Sequence, residues 1–337
     1  MSGGSDGDAP STLAAKIEGL ATGYVPSLIL FAAAELGVFD ALDESMTVAD
    51  LAARIAVTPS ALGRLCRVLG AMGLLSFESD RVAPVPEARA ALTRGGALQG
   101  VVAHHQRQVL PLFLQLARAV RTGKAQHAAW SFASPLAGRD AYAELAANPG
   151  ELATFLSAMD HSSKGVGAAL APALRARGVR HLVDLGCGGG VVARELLSAM
   201  PELTIDSFDL PAVALFAADR SARDGFADRH RLEAGDLVAG VGTRGADAVL
   251  LSAILADWNQ EDRRSILAGA KACLRPGGYV FVSETLLDDD RSGPLGPAVL
   301  SLVMLLAMRG DQLTGAELGA ELERAGLVDV HLERSGG

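Results

Sequence analysis

The sequence predicts an α/β protein: a doubly wound, mostly parallel, Rossmann-like sheet preceded by a mainly helical winged-helix domain. Three observations predict it. From residue 180 onward, short apolar runs alternate with helical patterns, the signature of βαβ units and a parallel sheet. Inside that part, Leu182-Val183-Asp184-Leu185 reads as a buried strand, Gly186-Cys187-Gly188-Gly189-Gly190 as a turn, and Val191 to Met200 as a helix. Ahead of it, residues 46–84 read as two short helices followed by a two-strand wing.

Taken in order, residues 1–11 are Gly, Ser and Asp-rich and read as a disordered tail without the basic stretch of a signal peptide. Thr12 to Leu42 reads as one helix, apolar on nearly every face and therefore buried, plausibly against a second subunit. Thr47 caps a helix ending near Ile55, and Pro59 opens another with Leu62, Leu65, Val68 and Leu69 at helical spacing. Leu74–Phe77 and Arg81–Pro84 form the wing. Arg64 and Arg67 would serve a DNA-reading role for such a domain, but two arginines in an acidic chain favour a dimerisation platform. Residues 98–171 are mainly helical. Strands follow near 181, 205, 231 and 248, then a tight turn at Arg275-Pro276-Gly277-Gly278 into Tyr279–Glu284. Helices over Pro297–Ala307 and Gly315–Ala325 and a last strand over Leu327–Glu333 complete the chain.

The glycine turn carries chemistry. Glycines permit positive φ and close approach of backbone to a ligand. The spacing is D-x-G-x-G-x-G, with Val191 where a dinucleotide fingerprint has its third glycine. Asp209 ends the next strand about 20 residues later, where a carboxylate accepts from both hydroxyls of a ribose. Asp236, in Gly235-Asp236-Leu237, is placed to meet an adenine amine.

Composition bounds the rest. A chain of 337 residues, half of them hydrophobic, holds one large or two medium domains with full cores. A net charge of −9 argues against nucleic acid as the main partner. Cys66, Cys187 and Cys273 are too few and too scattered for a disulfide framework or a zinc site, so no metal is expected. The apolar run Ile29–Val38, interrupted by Glu35, is too short to span a bilayer, and the expectation is a cytoplasmic protein that does not engage membranes.

With these parts in order, the chain resembles the bacterial and plant small-molecule O-methyltransferases, which include caffeate-type and polyketide-tailoring enzymes. The resemblance runs from about residue 15 and is carried by the winged-helix domain, Asp184-Leu185-Gly186-x-Gly188, Phe208-Asp209-Leu210-Pro211, Gly235-Asp236, Asp257-Trp258, Arg275-Pro276-Gly277-Gly278 and Phe155-x-x-x-Met159-x-x-x-Ser163. It implies a class I methyltransferase, dependent on S-adenosylmethionine (SAM), that forms an interlocked homodimer in natural-product or antibiotic biosynthesis. The domains it implies are a winged-helix dimerisation domain over 12–100, a helical linker over 101–172 contributing to the substrate pocket, and a SAM-binding domain over 173–337. The implied cofactor residues are Met159, Ser163, Asp184, Gly186, Gly188, Asp209, Leu210, Asp236, Leu237 and Ser252. Phe113, Trp130, Phe155, Met304 and Met308, with Phe132 and Leu305, would surround a small aromatic acceptor.

One departure matters. The family's general base is a His in Leu-His-Asp-Trp, and here the stretch is Leu255-Ala256-Asp257-Trp258. Of the two acids that brace that His, one matches Glu284 and the other falls near Gln312. Three readings follow. The acceptor is self-activated, giving C-methylation, N-methylation or O-methylation of an acidic phenol or enol. Alternatively, Glu284, Asp257, His161, His104, His105 or Asp311 replaces the base. Or the protein binds SAM without methylating, as a hydroxylase, decarboxylase or pericyclase. A winged-helix regulator is the reading from another class.

Overall fold

The computed structural model describes residues 12–134, 140–242 and 244–333. The expected tail over 1–11 lies outside the described residues. The chain divides into two compact units, up to Gln106 and from Arg107.

In the first unit α1 (Leu13–Thr22), α2 (Tyr24–Glu35) and α3 (Val38–Ala41) replace the single helix expected over Thr12–Leu42. Gly37, at φ 71, breaks the path, because a left-handed residue cannot continue a right-handed helix. Gly23 stays right-handed, so α1 and α2 run nearly on from one another. Together Leu13–Glu35 are long and apolar enough to cross a membrane, by length and composition, and Ala33 is the one buried residue of α1 and α2. The run Ile29–Val38 weighed from the sequence overlaps only the end of this stretch, which begins at Leu13.

Thr47 accepts from the Asp50 N–H at 3.1 Å and starts α4 (Val48–Arg54), as its residue type predicts. Pro59, whose fixed φ suits a first helical position, starts α5 (Pro59–Ala71). The wing is β2 (Leu75–Glu78) antiparallel to β3 (Arg81–Pro84), and β1 (Met46–Thr47) pairs on the other side of β3. α6 (Pro86–Leu92) and α7 (Gln99–His104) complete this unit. Its core is built on Phe39, Leu51, Leu62, Leu69 and Val82. Leu13, Ile17 and Leu20 on α1 are 72%, 56% and 74% exposed, so this apolar stretch is unburied within one chain.

The second unit opens with helices α8 (Leu110–Phe113), α9 (Leu116–Thr122), α10 (Ala141–Ala146), α11 (Pro149–Ser162) and α12 (Val166–Ala176). The sheet follows: β4 (His181–Leu185), α13 (Val191–Ala199), β5 (Thr204–Asp209), α14 (Pro211–Arg223), β6 (His230–Ala234), β7 (Ala246–Ser252), α15 (Gln260–Cys273) and β8 (Leu274–Ser283). α16 (Leu295–Ala307) and α17 (Gly315–Arg324) come last. Thr314 and Glu317 form a capping box at the start of α17.

The strand order is β6-β5-β4-β7-β8, every pair parallel. Alternate residues of β4 serve opposite faces. Leu182 packs with Ala193, Leu196 and Ile205, whereas Val183 and Leu185 pack with Phe208, Val249 and Ile266. Strand order reverses at β4, and the crevice outside the carboxyl ends of strands at such a switch point is where open α/β sheets bind ligands.

Two expectations near the end change. Arg275–Gly278 does not precede its strand but lies within β8, with a register shift against β7 between Ala246 and Ala248 and Gly277 at φ 77. Leu327–Glu333 forms no strand. Asp329 sits at φ 54, outside the extended region, and Val328 and Leu332 are 82% and 56% exposed, so no burial favours pairing.

Candidate active site

The site is assembled at the carboxyl ends of β4, β5, β7 and β8. Gly186 (φ 80) and Gly188 (φ 54) turn the chain out of β4, and Gly190 (φ 79) caps α13. At Gly186 a side chain would run into Ile254, with Leu237 3.3 Å away. Those positive φ values and that close packing are what hold the backbone open as a cradle.

Asp209 terminates β5 and faces this loop. Its Oδ2 accepts from the Gly188 N–H at 2.9 Å and its Oδ1 from the Leu210 N–H at 2.7 Å. Burial raises its pKa to about 6. Asp184 is buried beneath the turn, where the Ser207 hydroxyl donates to it at 3.3 Å and burial lifts its pKa to about 7. Behind Ser207, buried His230 bridges the Ser207 and Ser221 hydroxyls at 2.8 and 2.7 Å, and burial lowers its pKa to about 4. Asp236 is exposed and accepts from the Val238 N–H at 2.8 Å. Leu237 reaches the glycine turn, and Ser252 ends β7.

The sequence reading missed Asp160, the residue after Met159 on α11. Its carboxylate is ion-paired with Arg220 and lies 3.7 Å from Arg194, which also donates to the Gly189 carbonyl at 2.7 Å. A Cβ on Gly189 would strike that carboxylate. Asp160 therefore pins the glycine turn to α11. The only sequence signal was the carboxylate beside Met159, with no means of pairing it to Arg194 or Arg220. Met159 is half-buried and Ser163 caps α11. Asp160→Asn removes the ionic part of this clamp and leaves its shape. SAM affinity measured calorimetrically is expected to fall about 10-fold, consistent with hydrogen bonds to a charged group being worth ~1.5–3 kcal/mol.

Of the residues expected round an acceptor, Phe113, Phe132, Phe155, Leu305 and Met308 pack round a core of Leu112, Trp130, Leu156 and Leu306. Leu210, next to Asp209, packs on the same cluster and joins it to the cofactor side. Trp130 is buried, donates its indole N–H to the Gln108 carbonyl at 2.7 Å and stacks on Phe132, so it supports the pocket rather than presenting a free face. Met304 is buried.

The Leu255–Asp257 turn, a short 3-10 helix, follows Ala253, which is held at φ 53. Glu284 accepts from the Ile254 and Leu255 N–H groups at 2.9 and 2.7 Å, capping that turn, and burial pushes its pKa to about 7. Ala256 is buried. Asp257 accepts from the Tyr142 hydroxyl, and burial raises its pKa to about 6. Tyr142 stacks near Trp258 and meets Phe155 edge-on, each with centroids 6.2 Å apart. Gly310 lies against the backbone of Ala256–Trp258. His161 is exposed on the last turn of α11. Gln312 is buried, and its Oε1 has no hydrogen-bond partner among the described residues. Asp311 is half exposed and pairs with Arg291 at 3.2 Å and with the Ser301 hydroxyl. Among the described residues no group of His, Cys, Asp and Glu is placed to hold a metal ion.

The O-methyltransferase domain model matches residues 113–328, and the O-methyltransferase dimerisation domain model matches residues 18–94. The chain belongs to the O-methyltransferase family. A 3-hydroxy-5-methyl-1-naphthoate 3-O-methyltransferase of Streptomyces sahachiroi is 34% identical over 318 residues, covering 94% of this chain and 90% of the relative. The tetracenomycin polyketide synthesis 8-O-methyl transferase TcmO of Streptomyces glaucescens is 29% identical over 316 residues, covering 92% and 90%. Among solved structures, human N-acetylserotonin methyltransferase in complex with SAM matches with a TM-score of 0.84 at 26% identity, covering 97% of this chain and 96% of that one. The family assignment agrees with the doubly wound sheet, the methyltransferase reading and the helical dimerisation domain expected from sequence.

Proposed function

We propose that this O-methyltransferase uses SAM to methylate an acidic hydroxyl, a phenol or enol, on a small aromatic or polyketide-like acceptor. The observation that carries the reading is the buried alanine at position 256, on a turn braced by Glu284 and tied through Asp257 to Tyr142, whose ring meets Phe155. SAM fits the residues present. Gly186 and Gly188 provide an open backbone cradle, and Asp209 presents a carboxylate to a ribose diol, with Met159, Ser163, Leu210, Asp236, Leu237 and Ser252 around it. When bound, SAM supplies an electrophilic methyl group on a sulfonium.

The chain's own residues then hold the acceptor. Phe113, Phe155 and Met308 supply an apolar wall, and near-attack positioning delivers a large part of the rate. An acceptor hydroxyl that ionises readily needs less help than the roughly 10²–10⁴-fold that a general base contributes. The streptomycete relatives, named for O-methylation of a hydroxynaphthoate and of a polyketide, support oxygen as the atom methylated. The exposed apolar helices α1 and α2 and the dimerisation domain support pairing with a second copy.

Ala256→His tests the reading. It is expected to raise O-methyl product from weakly acidic phenols by about 10-fold or more, while leaving acidic acceptors little changed. Equal gains on both classes, or a loss on both, would contradict the self-activated acceptor.

A further inference from the structure

We infer that Asp257 is the proton acceptor of this site and that Tyr142 is its positioning residue. The inference deepens the reading above and rests on it.

Glu284, His161 and Asp311 are engaged or out of place. Glu284 accepts from the Ile254 and Leu255 N–H groups on Oε1 and is bonded by the Ala256 backbone as well, so three successive backbone groups commit it to shaping the turn. His161 is exposed, and Asp311 is tied to Arg291 and Ser301 at the surface. Asp257 differs. It follows Ala256 directly on the turn. Tyr142 reaches it from α10, a separate element, and donates its hydroxyl to Oδ2.

The surroundings of Tyr142 place the pair between the two halves of the site. Phe155, a residue of the acceptor cluster, lies edge-on to its ring, and Trp258 lies stacked with it. Tyr142 also feels the negative charge of Asp209, the residue on the cofactor side, as well as that of Asp257 and Asp140, and burial and these charges hold its phenol protonated. It therefore acts as a donor, fixing one oxygen of Asp257 and leaving the carboxylate to accept elsewhere. The other charged groups about Asp257 are Glu284, whose charge couples to it, and Arg309, whose N–H donates to the Asp257 carbonyl at 3.4 Å and whose guanidinium lies 5.4 Å from the Trp258 ring.

In the reaction, the acceptor oxygen bonds the methyl carbon as its proton passes to the Asp257 carboxylate. The carbon–sulfur bond breaks with its electron pair going to sulfur, which gives S-adenosylhomocysteine. Asp257 then returns the proton to water.

Two experiments decide it. The first needs no turnover. The chain has three tyrosines, so ¹³Cζ-tyrosine NMR gives three signals, and Tyr142→Phe identifies one of them. That signal is expected to move with a midpoint near pH 6 as Asp257 titrates, and to move several-fold less in Asp257→Asn, where Asp209 still titrates but makes no hydrogen bond to the phenol. A signal unmoved between pH 5 and 7, or moved alike in both proteins, overturns the pair. The second uses 2-naphthol and nitro-substituted naphthols of rising acidity. Asp257→Asn is expected to lose about 10²-fold or more in kcat/KM on 2-naphthol and progressively less on the acidic members. Tyr142→Phe is expected to lose about 10-fold and to move the acid limb of the pH profile. SAM affinity should hold within about 3-fold in both variants. A uniform loss across the series, or none, overturns the proton-acceptor role. Methyl found on carbon rather than oxygen would instead overturn the function it rests on.

Discussion

Gly310→Ala is expected to cost at least 10²-fold in kcat and to lower stability by about 1–3 kcal/mol, the usual range for overpacking. The new Cβ would fall 2.6 Å from the Asp257 carbonyl carbon and the Trp258 nitrogen, and closer still to the Ala256 carbonyl oxygen. All three are backbone atoms of the turn that carries Asp257, and backbone cannot swing aside as a side-chain tip can. The turn is also held from its other end by Glu284. The shift must therefore pass into the turn, and a displacement of about 1 Å near the chemistry costs roughly 10²-fold. SAM affinity should change less than 3-fold, because Gly186 and Gly188 lie in the turn after β4 and Asp209 at the end of β5, on other segments of the chain. Thermal unfolding, single-turnover kinetics and calorimetry read the three quantities separately. A full-speed variant would show that the turn is free to move.

Asp209→Ala is expected to weaken SAM binding by about 10²-fold. Two losses combine: the hydrogen bonds to the ribose, worth ~1.5–3 kcal/mol for a charged acceptor, and the anchors for the Gly188 and Leu210 N–H groups. Asp209→Asn keeps an acceptor and should lose less. The pH dependence follows from its pKa. Burial raises Asp209 to about 6, and the ribose hydroxyls favour the ionised carboxylate. Affinity should therefore be full above pH 7 and fall as pH drops through 6, with that dependence much reduced in Asp209→Ala. Unchanged affinity in the variant would mean that the ribose sits elsewhere.

Much of the fold was legible because it rests on short-range chemistry. The glycine turn after β4, the apolar strands, Thr47 as a cap and the proline-started helices all announce themselves over a few residues. The cradle and Asp209 were legible for the same reason. What stayed hidden depends on long-range pairing. Asp160 is 34 and 60 residues from its arginine partners, and Tyr142 is 115 residues from Asp257. Neither carries a local signal. His161 was one of the candidate bases, but it is exposed at the end of α11. The strand expected over Leu327–Glu333 had alternating apolar residues and no burial to stabilise pairing.

The most direct test of the account is to incubate the purified protein with SAM and a panel of phenolic and hydroxynaphthoate acceptors, measuring S-adenosylhomocysteine and solving the product by NMR. The account predicts one S-adenosylhomocysteine per product and a methyl group on oxygen, with acidic hydroxyls turned over fastest. A methyl on carbon, or a product formed without S-adenosylhomocysteine, would contradict it.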